Sequence, residues 1–350
     1  MTDGIHKLPK GGGVKNTPPN PNPDDFPSQA PPMEQAVQRR QAIGWLFLVT
    51  LVWGGTFVWM KEVLNAADNY LTTWHLASVV AFMIVIRFTI GAISLSIFNS
   101  NARSGLKDID AWNGGLFLGL LLWGGFLTQM LAIDEITPAV SAFLTSLYVV
   151  FTGLIGLVLR KHPLSGSLVV GILLSTLGAG FIDGPPQISW GWAELVTVFS
   201  ALIFAVHIIA TDVITKRVDP ARLTMTSFIV VISASVLTLL ISLLLAPANS
   251  PSISDLFSLL LHWDIVLWLF LLGFLGSFIA ILLLNMYQRF LHPVHAAIIY
   301  AFEPVWATIY ALFVGLNEFT FWLFVGGGLL LLGNLIVESR PNQPADASEE

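Results

Sequence analysis

The chain has no cysteine among its 350 residues, which excludes a disulfide framework, thiolate metal sites and cysteine nucleophiles. Charge is scarce too. Asp, Glu, Lys and Arg together make up 11%, against about 25% in a soluble domain. So few charges cannot dress a globule of this size for water, which excludes an ordinary cytoplasmic enzyme. The formal net charge of -6 removes any electrostatic case for a nucleic-acid partner. No G-x-x-x-x-G-K-[ST] run offers nucleotide hydrolysis, and no H-E-x-x-H run offers zinc. His292 and His295 are three apart, but no acid stands near to complete a ligand set, so neither a metal nor a cofactor is expected. What the chain does hold is apolar: 55% hydrophobic residues and a mean hydropathy of +0.76. That composition predicts an all-α polytopic membrane protein whose first partner is the lipid bilayer.

Residues 1–41 stand apart, with eight of the 19 prolines and almost no aliphatic side chains. Such a stretch cannot bury enough apolar area to offset its chain entropy, so it reads as a disordered Pro/Gly-rich tail. No apolar run follows Lys7 or Lys10, so it does not read as a signal peptide. From Ala42 onward, apolar stretches long enough to cross roughly 30 Å of hydrocarbon recur. The predicted spans are 42–64, 74–98, 112–133, 138–159, 167–183, 190–211, 222–246, 264–286, 293–314 and 320–338. They divide into one unit at 42–183 and another at 190–338, with a short tail at 339–350.

The cations orient these spans. Fourteen of the 16 Lys and Arg residues fall in the tails and alternate loops of one side; the other two, Lys61 and Arg87, lie inside spans. Ten crossings with both termini cytoplasmic, in a cell (inner) membrane, is the expected topology.

A shift of 155 residues superposes the third-to-fifth spans on the eighth-to-tenth. Pro138 meets Pro293, Ala142 meets Ala297, Val150 meets Val305, Gly171 meets Gly326, Leu177 meets Leu332 and Gly178 meets Gly333. A five-span unit has an odd number of crossings, so its two copies run in opposite orientations across the membrane. Inverted repeats are a transporter architecture with the substrate between the halves.

Particular runs carry a family resemblance. Leu51 to Phe57 (LVWGGTF), Ala296 to Trp306 (AAIIYAFEPVW) and Gly315 to Glu318 (GLNE), followed by a Gly-rich tenth span, resemble drug/metabolite transporters of the EamA type. The resemblance covers roughly 44–338. It implies ten helices in two inverted five-helix repeats and the export of small metabolites, often amino acids or related compounds. The first repeat departs from the pattern: Tyr148 and Val149 stand where the second has Glu303 and Pro304, and Arg160 and Lys161 replace the usual Gly and acidic residue.

Two charges lie deep within spans, Arg87 and Glu303. An ionised group at mid-bilayer is costly unless paired or hydrated. They are therefore either an ion pair holding the halves together or part of the substrate path. Pro304 removes a helix hydrogen bond beside Glu303 and marks a kink. Thr56, Gln129, Tyr148, Asn285 and Tyr300 supply polar groups near mid-membrane, with Ser141 and Thr145, while Trp53 supplies an apolar wall. Lys61 and Glu62 are expected to snorkel to the headgroups. The leading reading is a secondary transporter that exports a small molecule by alternating access, with Glu303 as the proton-coupling group and Arg87 as substrate or counter-ion contact. Exchange without protons fits the same residues, and the sequence leaves a homodimer open. Two rivals stand beside it: a membrane-embedded acyltransferase using the H-x-x-x-x-D spacing of His207 and Asp212, and a non-transporting polytopic scaffold or receptor.

Overall fold

The structure, a computed structural model, describes residues 32–159, 166–181, 191–246, 250–291 and 293–338. No strand occurs among the described residues. The main helices are α1 (Pro32–Asp68), α2 (Leu76–Phe98), α3 (Ile109–Ala132), α4 (Pro138–Thr145), α5 (Tyr148–Val158), α6 (Gly166–Phe181), α7 (Trp192–Ile214) and α8 (Pro220–Leu245). They are followed by α9 (Trp263–Phe290), α10 (Pro293–Tyr300), α11 (Glu303–Val314) and α12 (Phe321–Glu338). Among the described residues, seven stretches are long and apolar enough to cross a bilayer, α4 and α5 together counting as one. Shorter apolar helices, Val169–Ala179, Glu303–Val314 and Phe321–Ile336, occupy the other three predicted spans. The fold is all-α and polytopic.

Two expectations need correction. The first helix begins at Pro32, ahead of the predicted tail boundary at 41. Proline is pre-shaped for a first helical turn, Glu34 complements the helix start, and the Ala, Gln and Arg residues that follow are good helix formers. Residues 1–31 and 339–350 lie outside the described residues. Lys61 does not reach for headgroups either. Its Nζ donates to the carbonyls of Ile133 (3.0 Å) and Asp134 (2.6 Å), satisfying the orphan acceptors at the end of α3.

Contacts across the chain obey the 155-residue shift. Tyr148 and Glu303, which occupy matching positions, touch each other directly. Ser175 Oγ likewise donates to the carbonyl of its own counterpart, Leu330. A residue can meet its own equivalent only on a two-fold axis. The fifth and tenth spans make the point reciprocally: Gly178 of α6 lies against Gly326 and Leu330 of α12, and Gly333 of α12 lies against Gly171 and Ser175 of α6. Those pairings run α6 and α12 antiparallel, as inversion of the repeat requires.

The fourth and ninth spans are broken at matching places, between α4 and α5 at Ser146 and Leu147, and between α10 and α11 at Ala301 and Phe302. Around both breaks the backbone uses tighter i to i+3 bonds, Leu147 N to Leu144 O (3.2 Å) and Phe302 N to Ile299 O (3.2 Å). Pro304 falls in the first turn of α11, where its missing N–H costs nothing. The predicted kink is thus a helix break just before Pro304. The first repeat makes the same break without proline, helped by Ser146 Oγ donating to the Phe143 carbonyl (2.7 Å). Helix breaks at membrane depth occur where backbone lines a cavity or is buried in protein.

At the end where α3 and α8 begin, Asp108 caps α3 by accepting from the N–H groups of Asp110 and Ala111, and Arg222 of α8 reaches its other oxygen at 3.2 Å. The Ala111 amide first, then Arg222, hold the Asp108 carboxyl below the usual carboxylate range. This link between the halves is therefore intact at neutral pH and lost only as pH falls through that lowered value.

Candidate functional site

On the two-fold axis the helices line a small, partly open cavity of about 40 Å³. Its wall is built from matched positions of the two repeats. Thr145 and Tyr300 end the first halves of the broken spans, and Tyr148 and Glu303 begin the second halves. Phe126 and Gln129 of α3 face their counterparts Ile281 and Leu284 of α9. Trp53 and Thr56 of α1 are matched by Phe204 and His207 of α7, each pair 151 residues apart. Leu122 and Ile208 complete the lining.

Six of the eight predicted ligand-contact or coupling residues line this cavity: Trp53, Thr56, Gln129, Tyr148, Tyr300 and Glu303. Tyr148 donates from its hydroxyl to Glu303 Oε2 at 3.3 Å, and Gln129 Nε2 donates to Thr145 Oγ1 at 3.2 Å. Tyr300 donates to Gln288 Oε1 (3.1 Å), whose own Nε2 donates to the Ile208 carbonyl (2.7 Å). That chain of bonds ties α10 to α9 and α7. Trp53 Nε1 donates to the Gly276 carbonyl (3.1 Å), inside a wide-turned π stretch of α9, Leu271–Ile279. Its ring centroid lies 5.7 Å from that of Tyr300, a contact distance for aromatic pairs.

The other two predicted residues do not line it. Asn285 comes one position after Leu284, which turns it about 100° away from the cavity, and its Nδ2 donates to Thr224 Oγ1 of α8 at 2.8 Å. Arg87 is fully buried, but not against Glu303. Among the described residues the ion pairs are Lys216–Asp212 (2.7 Å) and Arg222–Asp108 (3.2 Å), so the Arg87–Glu303 ion pair, one of the two alternatives for these charges, is absent. Instead Arg87 Nε donates to Ser277 Oγ at 2.9 Å, Nη1 approaches Met60 Sδ at 3.7 Å, and Nη2 has no hydrogen-bond partner among the described residues. The guanidinium lies 4.2 Å from the centroid of Phe126, a cation–π contact. Since Phe126 lines the cavity, Arg87 stands behind its wall with the ring between.

His207 is the cavity residue that sequence reading set aside. The sequence offers it as half of an acyltransferase pair with Asp212, yet the two are engaged elsewhere: Asp212 with Lys216, and His207 Nδ1 with Thr211 Oγ1 at 3.4 Å. The signal that reveals it is the repeat itself, carried back to the first and sixth spans. There the shift is 151 rather than 155 because the connections differ in length, and small residues match (Gly54 and Ala205) rather than identical ones.

Two repeats related by a two-fold axis, broken helices at their junction and a cavity on the axis together define a membrane transporter. The comparisons agree. The chain belongs to the EamA-like transporter family, whose model matches residues 40–182 and again 191–338. It is 26% identical over 306 residues to a protein from Archaeoglobus fulgidus described as an uncharacterized transporter, covering 87% of this chain and 88% of that one. A crystal structure shares the fold at a TM-score of 0.52 and 19% identity, over 82% of this chain and 95% of the other.

Proposed function

We propose that this transporter exports small metabolites, such as amino acids or related compounds, by alternating access, and that Glu303 carries the coupling proton. One observation carries the reading: Glu303 and Tyr148, matching positions of opposed repeats, bond across the two-fold axis inside the cavity. Rocking one repeat against the other strains that bond first, because it spans the place where they meet. A carboxyl group there can be loaded from one side and unloaded to the other.

The test is metabolite efflux. Cells overexpressing the protein are expected to accumulate specific small solutes in the medium, and deletion strains to retain them; identical media would end the export reading. Orientation follows from the cations. Reporter fusions after Lys161, Arg217 and Arg340 are expected to read cytoplasmic, and those after Asp134, Asn249 and Glu318 external. A cytoplasmic signal at Asn249 would overturn the span count and the placement of both termini.

A further inference from the structure

The transporter reading uses Glu303 and leaves His207 idle, although His207 is only 4% exposed and lines the same cavity. Its Nδ1 is engaged with Thr211, and its Nε2 has no hydrogen-bond partner among the described residues. A buried polar atom left unpaired is unfavourable, so natural folds keep few of them, and one beside a cavity is placed to take a partner that enters it. Nothing on α7 needs this histidine. Thr211 can turn its hydroxyl back to the carbonyl one turn earlier, as Thr215 already does to the carbonyl of Thr211 at 2.7 Å.

The rest of the wall says what kind of molecule brings the partner. Two aromatic groups border the space. Trp53, Tyr148 and Tyr300 form one, with the rings of Tyr148 and Tyr300 at 6.5 Å between centroids. Phe126 and Phe204 form the other, edge to face at 5.4 Å. Each group comes from both repeats. Such walls reward a flat ring over a flexible aliphatic chain, because aromatic contacts add to simple burial. We infer that His207 is a substrate-contact residue, and that the substrate joins a flat, ring-bearing apolar body to a hydrogen-bonding head that meets His207 Nε2. This deepens the transporter reading and rests on it for the word substrate.

The experiment uses the full chain in lipid nanodiscs and three indole probes: tryptamine, indole-3-acetamide and indole-3-acetate. Their ringless partners are n-pentylamine, pentanamide and pentanoate. Affinities are read by calorimetry and melting temperatures by a thermal shift. At least one indole probe is expected to bind about tenfold tighter than its pentyl partner, the size of effect one lost aromatic contact produces. His207→Leu is expected to weaken that probe about tenfold, as loss of one ligand hydrogen bond does, and His207→Gln to recover part of it. The unliganded His207→Leu protein should melt at the wild-type temperature or above. Equal affinities for indole and pentyl probes, or no binding by any of the six, overturn the substrate class. A His207→Leu protein that binds normally, fails to insert or melts lower when unliganded marks His207 as a packing residue and overturns the contact. The transport reading fails separately: an indole probe bound as expected but never moved across a liposome membrane would remove transport and leave this site standing.

Discussion

Glu303→Gln protein, inserted and monodisperse, is expected to lose pH-driven solute accumulation by about 100-fold or more, the low end of what removing a proton-transfer group costs. Folding should survive. The glutamine carbonyl can accept the Tyr148 hydroxyl as Oε2 does now at 3.3 Å, so that hydroxyl keeps its partner. Glu303→Ala would instead strand that hydroxyl and cost about 1–3 kcal/mol, which makes Gln the cleaner probe. Arg87 sharpens the result. Were it paired to Glu303, removing one partner would destabilise by about 3–5 kcal/mol, and neutralising both would restore the protein. Its actual neighbours are Ser277, Met60 and the face of Phe126, and among the described residues Nη2 has no hydrogen-bond partner. Arg87→Met should therefore fold with less than about half of that penalty, and the double variant Arg87→Met with Glu303→Gln should fold and stay inactive. The measurement is accumulation into proteoliposomes under an imposed pH gradient, beside a denaturation curve for each variant. A Glu303→Gln protein that still builds the gradient would end the coupling role, and a double variant with restored transport would reinstate the ion pair.

What the sequence disclosed depended on whether a residue acts through the backbone or through the direction it faces. Prolines and glycines act through the backbone. The alignment of Pro138 with Pro293 and of Gly178 with Gly333 therefore revealed the repeat, the broken spans and the close helix crossing. Facing is harder to read in a membrane. Lipid and protein interior are both apolar, so the periodicity that separates inside from outside in a soluble helix is nearly absent. Asn285 and Arg87 were credited to the cavity because they are polar, and both turn out to satisfy neighbouring helices instead. His207 stands among apolar residues and so looks like packing, yet Ile208 beside it and Phe204 a turn before line the same space. Polarity identifies residues that need a partner. Only the three-dimensional arrangement tells whether that partner is a helix or a ligand.

The crossing of α6 and α12 offers the largest expected effect on stability. A Cβ at position 178 would sit 2.5 Å from the Leu330 amide nitrogen and 2.6 Å from the Gly326 carbonyl oxygen. At position 333 it would sit 2.4 Å from Ser175 Oγ and 2.6 Å from the Ser175 amide nitrogen. Most of these obstacles are backbone atoms, which cannot rotate aside, so even one methyl group must push the helices apart. Forced overpacking of this kind costs about 1–3 kcal/mol, and Gly178→Ala and Gly333→Ala are each expected to pay it in denaturation measured in mild detergent. Gly328 is the control on the same helix, since a Cβ there meets nothing within 4 Å. Gly328→Ala should be neutral or gain up to about 1 kcal/mol from better helix propensity. Both tight glycines guard one antiparallel contact, so the double variant should lose less than the sum of the two singles. A Gly333→Ala protein as stable as Gly328→Ala would mean that α6 and α12 do not meet at these glycines. That would remove the most direct support for two opposed repeats around one axis.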